Sequence, residues 1–278
     1  INEVTKLGAK LNYQSRWLNA ASFYVPVNRL EAISNLPFVK SIQPVRIFKA
    51  KPELIENSKE DLEPKLALED SGLIYGPSLR QLQQLNVPAV HTLGYKGQGV
   101  LVCMMDTGFR KDHPVFQTAY NEGRVLAEYD FINHDANVQD DTLDAAGQHS
   151  HGTATWSALG GESDGNLYGP AYKANFILAK TEYVPTENRI EEDNWVAGTE
   201  WADSLGADVI SSSLGYYDFD SGFTYTYADL NGDVAVTTVA ADVAASKGIL
   251  VCNANGNSGP LPGTLITPAD ADSIIACG

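Results

Sequence analysis

The hydrophobic positions of this chain fall into short runs separated by glycine-rich and polar stretches. Val100 to Met105 is a continuous apolar run, too short for a typical helix, opened by Gly97 and Gly99 and closed by Gly108. That pattern predicts a strand buried on both faces of a parallel sheet. The segments R-V-L-A-E-Y-D-F-I, A-N-F-I-L-A-K, A-D-V-I-S-S-S and G-I-L-V-C-N read as further strands. Between them, N-W-V-A-G-T-E-W-A-D-S-L-G and D-V-A-V-T-T-V-A-A-D-V-A-A-S-K-G read as helices ended by Gly206 and Gly248. Strand and helix in alternation imply right-handed βαβ units and an α/β fold, a parallel sheet with helices on both faces.

The first 50 residues carry a different pattern. S-R-W-L-N-A-A-S-F-Y-V-P-V suggests two strands meeting at Asn19, and N-R-L-E-A-I-S-N-L a short helix with Leu30, Ile33 and Leu36 at helical spacing. P-F-V-K-S-I-Q-P-V suggests a further strand, giving a small α+β domain over 1–50. Residues 51–74 open with an acidic, proline-punctuated stretch poor in aromatics, as suits an exposed linker. From Tyr75 to Tyr95 two weak helical patterns, S-L-R-Q-L-Q-Q-L and V-P-A-V-H-T-L-G-Y, lead into the first core strand of a large domain over 75–278.

At 278 residues the chain is long enough to bury a substantial core beside a small domain. A formal net charge of −16 argues against nucleic-acid binding, which needs a basic patch. No apolar run approaches a membrane span, and I-N-E-V-T-K-L has neither the cationic start nor the apolar stretch of a signal peptide. Cys103, Cys252 and Cys277 each lie in an apolar run and read as buried free thiols, with Cys252 and Cys277 becoming neighbours if their strands pair. Clustered carboxylates at Glu187–Asp193 and at Asp140, Asp141 and Asp144 have the chemistry that calcium takes. Unpatterned acidic loops are commoner, so the first group reads as a solvated loop and no metal or other cofactor is expected.

The chemistry concentrates where the predicted strands end. Asp106 closes the Val100–Met105 strand in an Asp-Thr-Gly unit, at the carboxyl end where open α/β sheets carry their sites. An aspartic-protease site would need a second such unit, and none occurs. Further on, G-Q-H-S-H-G-T-A-T-W-S-A-L-G-G brings His151 before Gly152 and Thr153, as if a helix began there and packed through small residues. Ser213-Leu214-Gly215 follows one predicted strand, and Ala254 to Gly259, A-N-G-N-S-G, follows another.

In identity, spacing and order these four motifs resemble the subtilisin-like serine proteases, the subtilase or S8 family, whose triad runs Asp, His, Ser along the chain. The resemblance implies a serine endopeptidase acting on polypeptides, with Asp106 orienting the general base His151 and Asn257 donating to the oxyanion. It further implies that Ser213, Leu214 and Gly215 pair with substrate backbone and line the primary pocket, with Ala254 to Gly256 as the opposite wall. His149 and His113 read as structural or solvent-facing. The family's nucleophile lies well downstream of the Gly-Asn turn, so it is expected beyond Gly278, and the 278-residue chain alone is expected to be inert.

By the same resemblance, residues 1–50 are the latter part of a ferredoxin-like propeptide that chaperones and inhibits its own enzyme. Its last strand is expected against the catalytic sheet, with Lys49 to Pro52 heading into the substrate groove and processing before Tyr75. A secreted or periplasmic location follows. The alternative is a noncatalytic peptide-binding module of the same fold. A different α/β hydrolase or nucleotide binder is disfavoured by the lack of G-x-S-x-G and of a phosphate-binding glycine loop.

Overall fold

A computed structural model of the chain describes residues 1–45, 72–220, 222–260 and 262–278. Most of the acidic linker, and Lys49–Pro52 with it, lies outside the described residues.

The first 45 residues form α1 (Asn2–Lys6), β1 (Lys10–Ser15), β2 (Ala20–Tyr24) and α2 (Leu30–Ser34), with β1 and β2 an antiparallel pair. Their small core is Val4, Ala9 and Ile33, backed by Leu7, Phe23, Leu36 and Val39. Two expectations need correcting here. The first strand lies upstream of the predicted one, because Arg16–Asn19 forms the turn, with Asn19 at φ +49, a left-handed conformation asparagine tolerates. Residues 37–45 form no strand. Pro37 and Pro44 bring no N–H to a ladder there.

The large domain opens with α3 (Leu79–Gln84) and α4 (Val87–Thr92), which pack rather than carry chemistry. Leu79, Leu82 and Val87 are buried against Tyr168 and Tyr172. Buried His91 is held between the Tyr75 hydroxyl, 2.8 Å from Nδ1, and the Pro170 carbonyl, 2.9 Å from Nε2. Then follow β3 (Leu101–Asp106), α5 (Gln117–Asn121), β4 (Val125–Asp130), α6 (Ser150–Gly160), a two-residue hairpin β5 (Glu162–Ser163) and β6 (Leu167–Tyr168), and β7 (Asn175–Lys180). Beyond these lie α7 (Arg189–Ser204), β8 (Val209–Ser212), α8 (Val236–Ser246), β9 (Leu250–Ala254) and β10 (Ile275–Cys277).

The main sheet is parallel throughout, in the order β10-β9-β8-β3-β7-β4. The side chains of β3 show why it is central. Cys103 and Met105 point into the layer of α7 and α8, with Trp195, Ala197, Ala240 and Ala244. Val102 and Met104 point into the opposite layer, with Phe109, Phe116 and Trp156. A strand covered on both faces cannot alternate with polar residues, which accounts for its unbroken apolar run. After β4 and β7 are laid down on one side of β3, β8, β9 and β10 are added on the other. The direction of winding therefore reverses at β3, and a crevice opens beyond its carboxyl end.

The two domains meet through β1 and α7. Glu200 accepts from the Ser15 hydroxyl and from the backbone N–H groups of Arg16 (3.2 Å) and Trp17 (3.4 Å), while Tyr13, Trp17 and Leu18 pack on the large core. Among the described residues the first strand and its turn meet a helix that covers the sheet, and Gln43 and Pro44 of the expected last strand line a cavity with Arg189, Phe223 and Tyr225.

Candidate active site

Asp106 ends β3 and is 1% exposed. Each carboxylate oxygen has its own donors. Oδ1 accepts from the Thr107 N–H at 2.7 Å and lies 2.7 Å from His151 Nδ1, and Oδ2 accepts from the Thr155 hydroxyl at 2.9 Å. The imidazole of His151, by contrast, is 40% exposed. A buried carboxylate therefore holds one ring nitrogen of a histidine that is open to solvent.

The placement of His151 follows from the residue after it. α6 approaches β3 so closely that a Cβ on Gly152 would lie 2.1 Å from the Gly108 carbonyl oxygen and 2.9 Å from Asp106 Cβ. No side chain fits there, so the small-residue pattern read from the sequence is a steric requirement. Thr155, one helical turn after His151, lies on the same face and reaches the same carboxylate. Beneath them Gln148 is fully buried, donating to the carbonyls of Thr107 (2.7 Å) and Glu182 (2.6 Å) and accepting from Val184 N–H (3.0 Å). Neither Thr155 nor Gln148 was anticipated, although the four-residue spacing of Thr155 from His151 was a legible signal.

The other two histidines of the region serve the backbone. His149 Nδ1 accepts from the Asp140 N–H at 3.0 Å, and its own N–H donates to Asp140 Oδ1 at 2.6 Å. His113 Nδ1 accepts from Val115 N–H at 3.3 Å.

Because β3, β8 and β9 are adjacent, the segments leaving β8 and β9 emerge side by side next to Asp106. Ser213–Gly215 follows β8, and Gly256 and Asn257 follow β9, which ends at Ala254. Asn253 ties the two together by donating to the Leu214 carbonyl at 2.9 Å. The Leu214 side chain faces the core, so that residue can meet a ligand only through its backbone. Asn257 is exposed in the turn after β9.

The acidic stretch 187–193 is not a solvated loop. Asn188 and Glu191 form a capping box that starts α7, and Glu191 and Glu192 are fully buried. Asn-x-x-Glu before an apolar helix was the available signal. Carboxylate oxygens of Glu182, Glu187 and Glu191 lie within 4.8 Å of one another. Burial first, then the neighbouring carboxylates, pushes Glu182 well above the usual range. Burial raises Glu191 to about 9, against the pull of its bonds to Asn188 N–H and the Thr186 hydroxyl. The second acidic group is spoken for within the protein: Asp144 pairs with Lys180, and Asp140 accepts from the N–H groups of Gly147 and His149. Of the cysteines, Cys103 is buried and Cys252 partly so, but Cys277 is exposed on β10, the edge strand, and all three are free thiols.

A buried acid on an accessible histidine at a winding reversal has the chemistry that general base catalysis can use. Residues 97–278 match the Subtilase family profile, Peptidase S8, and the chain belongs to that family. Residues 1–61 match the Peptidase S8 propeptide domain of Bacteroidota. Among curated proteins, the chain is 28% identical over 92% of its length to the minor extracellular protease Vpr of Bacillus subtilis. It is also 30% identical to the serine protease AprX (66% of the chain) and to subtilisin E (71%) of the same organism. The chain spans 29%, 38% and 45% of the lengths of these three relatives. A cold-adapted subtilisin-like serine proteinase of known structure aligns with a TM-score of 0.46 at 23% identity, over 66% of this chain and 55% of that one. Among the described residues no helix is long and apolar enough to cross a membrane.

Proposed function

We propose that this chain is the propeptide (1–50), processing linker (51–74) and greater part of the catalytic domain (75–278) of a secreted or periplasmic serine endopeptidase. Asp106 orients His151 and stabilises the imidazolium that forms when His151 takes a proton from the nucleophilic serine. Asn257 donates its amide to the oxyanion. Ser213, Leu214 and Gly215 on one side and Ala254 and Gly256 on the other hold an extended polypeptide. The serine itself is supplied by chain beyond Gly278, and residues 1–50 act as an intramolecular inhibitor until removed. No metal or cofactor enters the chemistry.

The observation that carries this reading is the 2.7 Å contact from buried Asp106 to Nδ1 of His151, a side chain that is 40% exposed. Membership of the protease family and the extracellular relative Vpr support the substrate class and the location. The test uses a serine-directed fluorophosphonate and a peptide substrate on the 278-residue chain and on the chain extended through its downstream serine motif. Labelling and hydrolysis are expected only in the extended chain. There, His151→Ala and Asp106→Asn should lower kcat by about 10³-fold or more with little change in KM. Labelling of the short chain, or retention of a tenth of kcat by either variant, would refute the assignment.

A further inference from the structure

The two walls of the groove converge on one side chain that the motifs did not single out. A Cβ on Gly215 would lie 2.3 Å from Ile266 Cδ1 and 2.6 Å from Cγ1. A Cβ on Gly256 would lie 2.7 Å from the same Cδ1 and 3.0 Å from the same Cγ1. Ile266 thus reaches the space between both walls and touches each at its glycine. The room that the two glycines leave is occupied by the Ile266 side chain.

Ile266 is held where it is. Its neighbour Thr267 is fully buried and forms a two-way backbone bridge to Tyr216, with N–H to O distances of 2.7 and 3.1 Å. The Thr267 hydroxyl is 2.8 and 2.6 Å from those of Thr237 and Thr238 at the start of α8. Being β-branched, Ile266 also has few rotamers in which to move aside. Its side chain is partly exposed.

We propose that Ile266 closes the primary side-chain pocket and restricts the substrate residue on the amino side of the scissile bond to glycine, alanine or serine. This rests on the proteolytic reading above for the reaction and for the two walls of the pocket, and on the Ile266 contacts for the selectivity. A close-packed pocket rejects added volume because neighbouring atoms must be displaced to admit it.

The experiment is hydrolysis of succinyl-Ala-Ala-Pro-X p-nitroanilides, with X as Gly, Ala, Leu or Phe, by the full-length self-processed protein. Alanine should exceed phenylalanine in kcat/KM by about 100-fold or more, the scale on which an occupied pocket discriminates. Ile266→Gly, with Ile266→Ala as the milder variant should the first fail to fold, should raise kcat/KM for phenylalanine by at least about 10-fold while changing that for alanine by less than about fivefold. Wild-type rates for alanine and phenylalanine within threefold of each other, or an unchanged ratio in a folded variant, overturn the proposal. If no substrate is cleaved, the proteolytic reading fails. Calorimetric titration with the peptides Ala-Ala-Pro-Ala and Ala-Ala-Pro-Phe then decides the pocket separately. Preference for the first supports the role of Ile266, and equal affinity or no binding of either overturns it.

Discussion

Lys180 and Glu182, two residues apart in the chain, belong to two groups of acids that the protein treats in opposite ways. In the first, fully buried Lys180 at the end of β7 sits 2.8 Å from Asp130 at the end of β4 and pairs also with Asp144. Burial alone would lower the lysine's pKa, but its bonds to the two aspartates outweigh that and hold it above the ordinary value. In the second, carboxylate oxygens of Glu182, Glu187 and Glu191 lie within 4.8 Å of one another, while Arg189 is directed to Glu192 at 3.0 Å. Here burial and mutual repulsion are relieved by retaining protons. The lysine is held charged through moderate pH by its two partners, whereas Glu182 and Glu191 remain responsive to pH.

The largest effect should come from removing the countercharge. Lys180→Met leaves two desolvated carboxylates facing each other and should cost about 3–5 kcal/mol of unfolding free energy. Urea denaturation at pH 7 would show it as a lower midpoint at an unchanged slope. A loss below about 1 kcal/mol would mean the aspartates find other partners.

The pH dependence separates the two groups. Glu182 and Glu191 have folded pKa values above their unfolded ones, so the folded state binds more protons and stability declines as pH rises from the ordinary glutamate range towards about 9. Glu192 and Asp193, raised by burial, add to the same slope. Each proton retained contributes up to about 1.4 kcal/mol per pH unit. Lys180, also raised, keeps its contribution until the pH climbs above the ordinary lysine range, so it does not enter this window. Glu191→Gln should therefore flatten the decline between pH 5 and 9, as measured by denaturant midpoints across that window. An unchanged slope would show that Glu191 is ionised in the folded protein.

The smallest effect should come from the cap. Asn188→Ala removes a side-chain acceptor at the first turn of α7 and should cost about 1 kcal/mol, readable as a small downward shift in Tm by calorimetry. It should leave the Lys180 group untouched.

How much of this was visible in the sequence depended on whether local pattern or tertiary context decided the outcome. The strand ending at Asp106 and the helix opening at His151 were legible because an unbroken apolar run and a glycine next to a histidine leave few alternatives. Residues 187–193 were misread because four carboxylates in seven positions suggest solvent, and only the tertiary packing of α7 buries Glu191 and Glu192. The strand expected in 37–45 has apolar residues in its favour, but Pro37 and Pro44 bring no N–H to a ladder and a strand exists only if a neighbour supplies one. Ile266 was invisible for a related reason: it lies about fifty residues from Gly215, and nothing local indicates that the two touch.

The glycines of α6 act as a spacer gauge. At one end Gly152 stands against the carbonyl of Gly108, and at the other a Cβ on Gly160 would lie 2.3 Å from the ring of Phe176. At the end that carries His151 the separation from Asp106 is therefore set largely by helix backbone meeting the Gly108 backbone, which has no rotamers to choose among and no methyl groups to gain or lose. Substitutions elsewhere in the core can accumulate without that separation drifting, while the gauge positions themselves tolerate none.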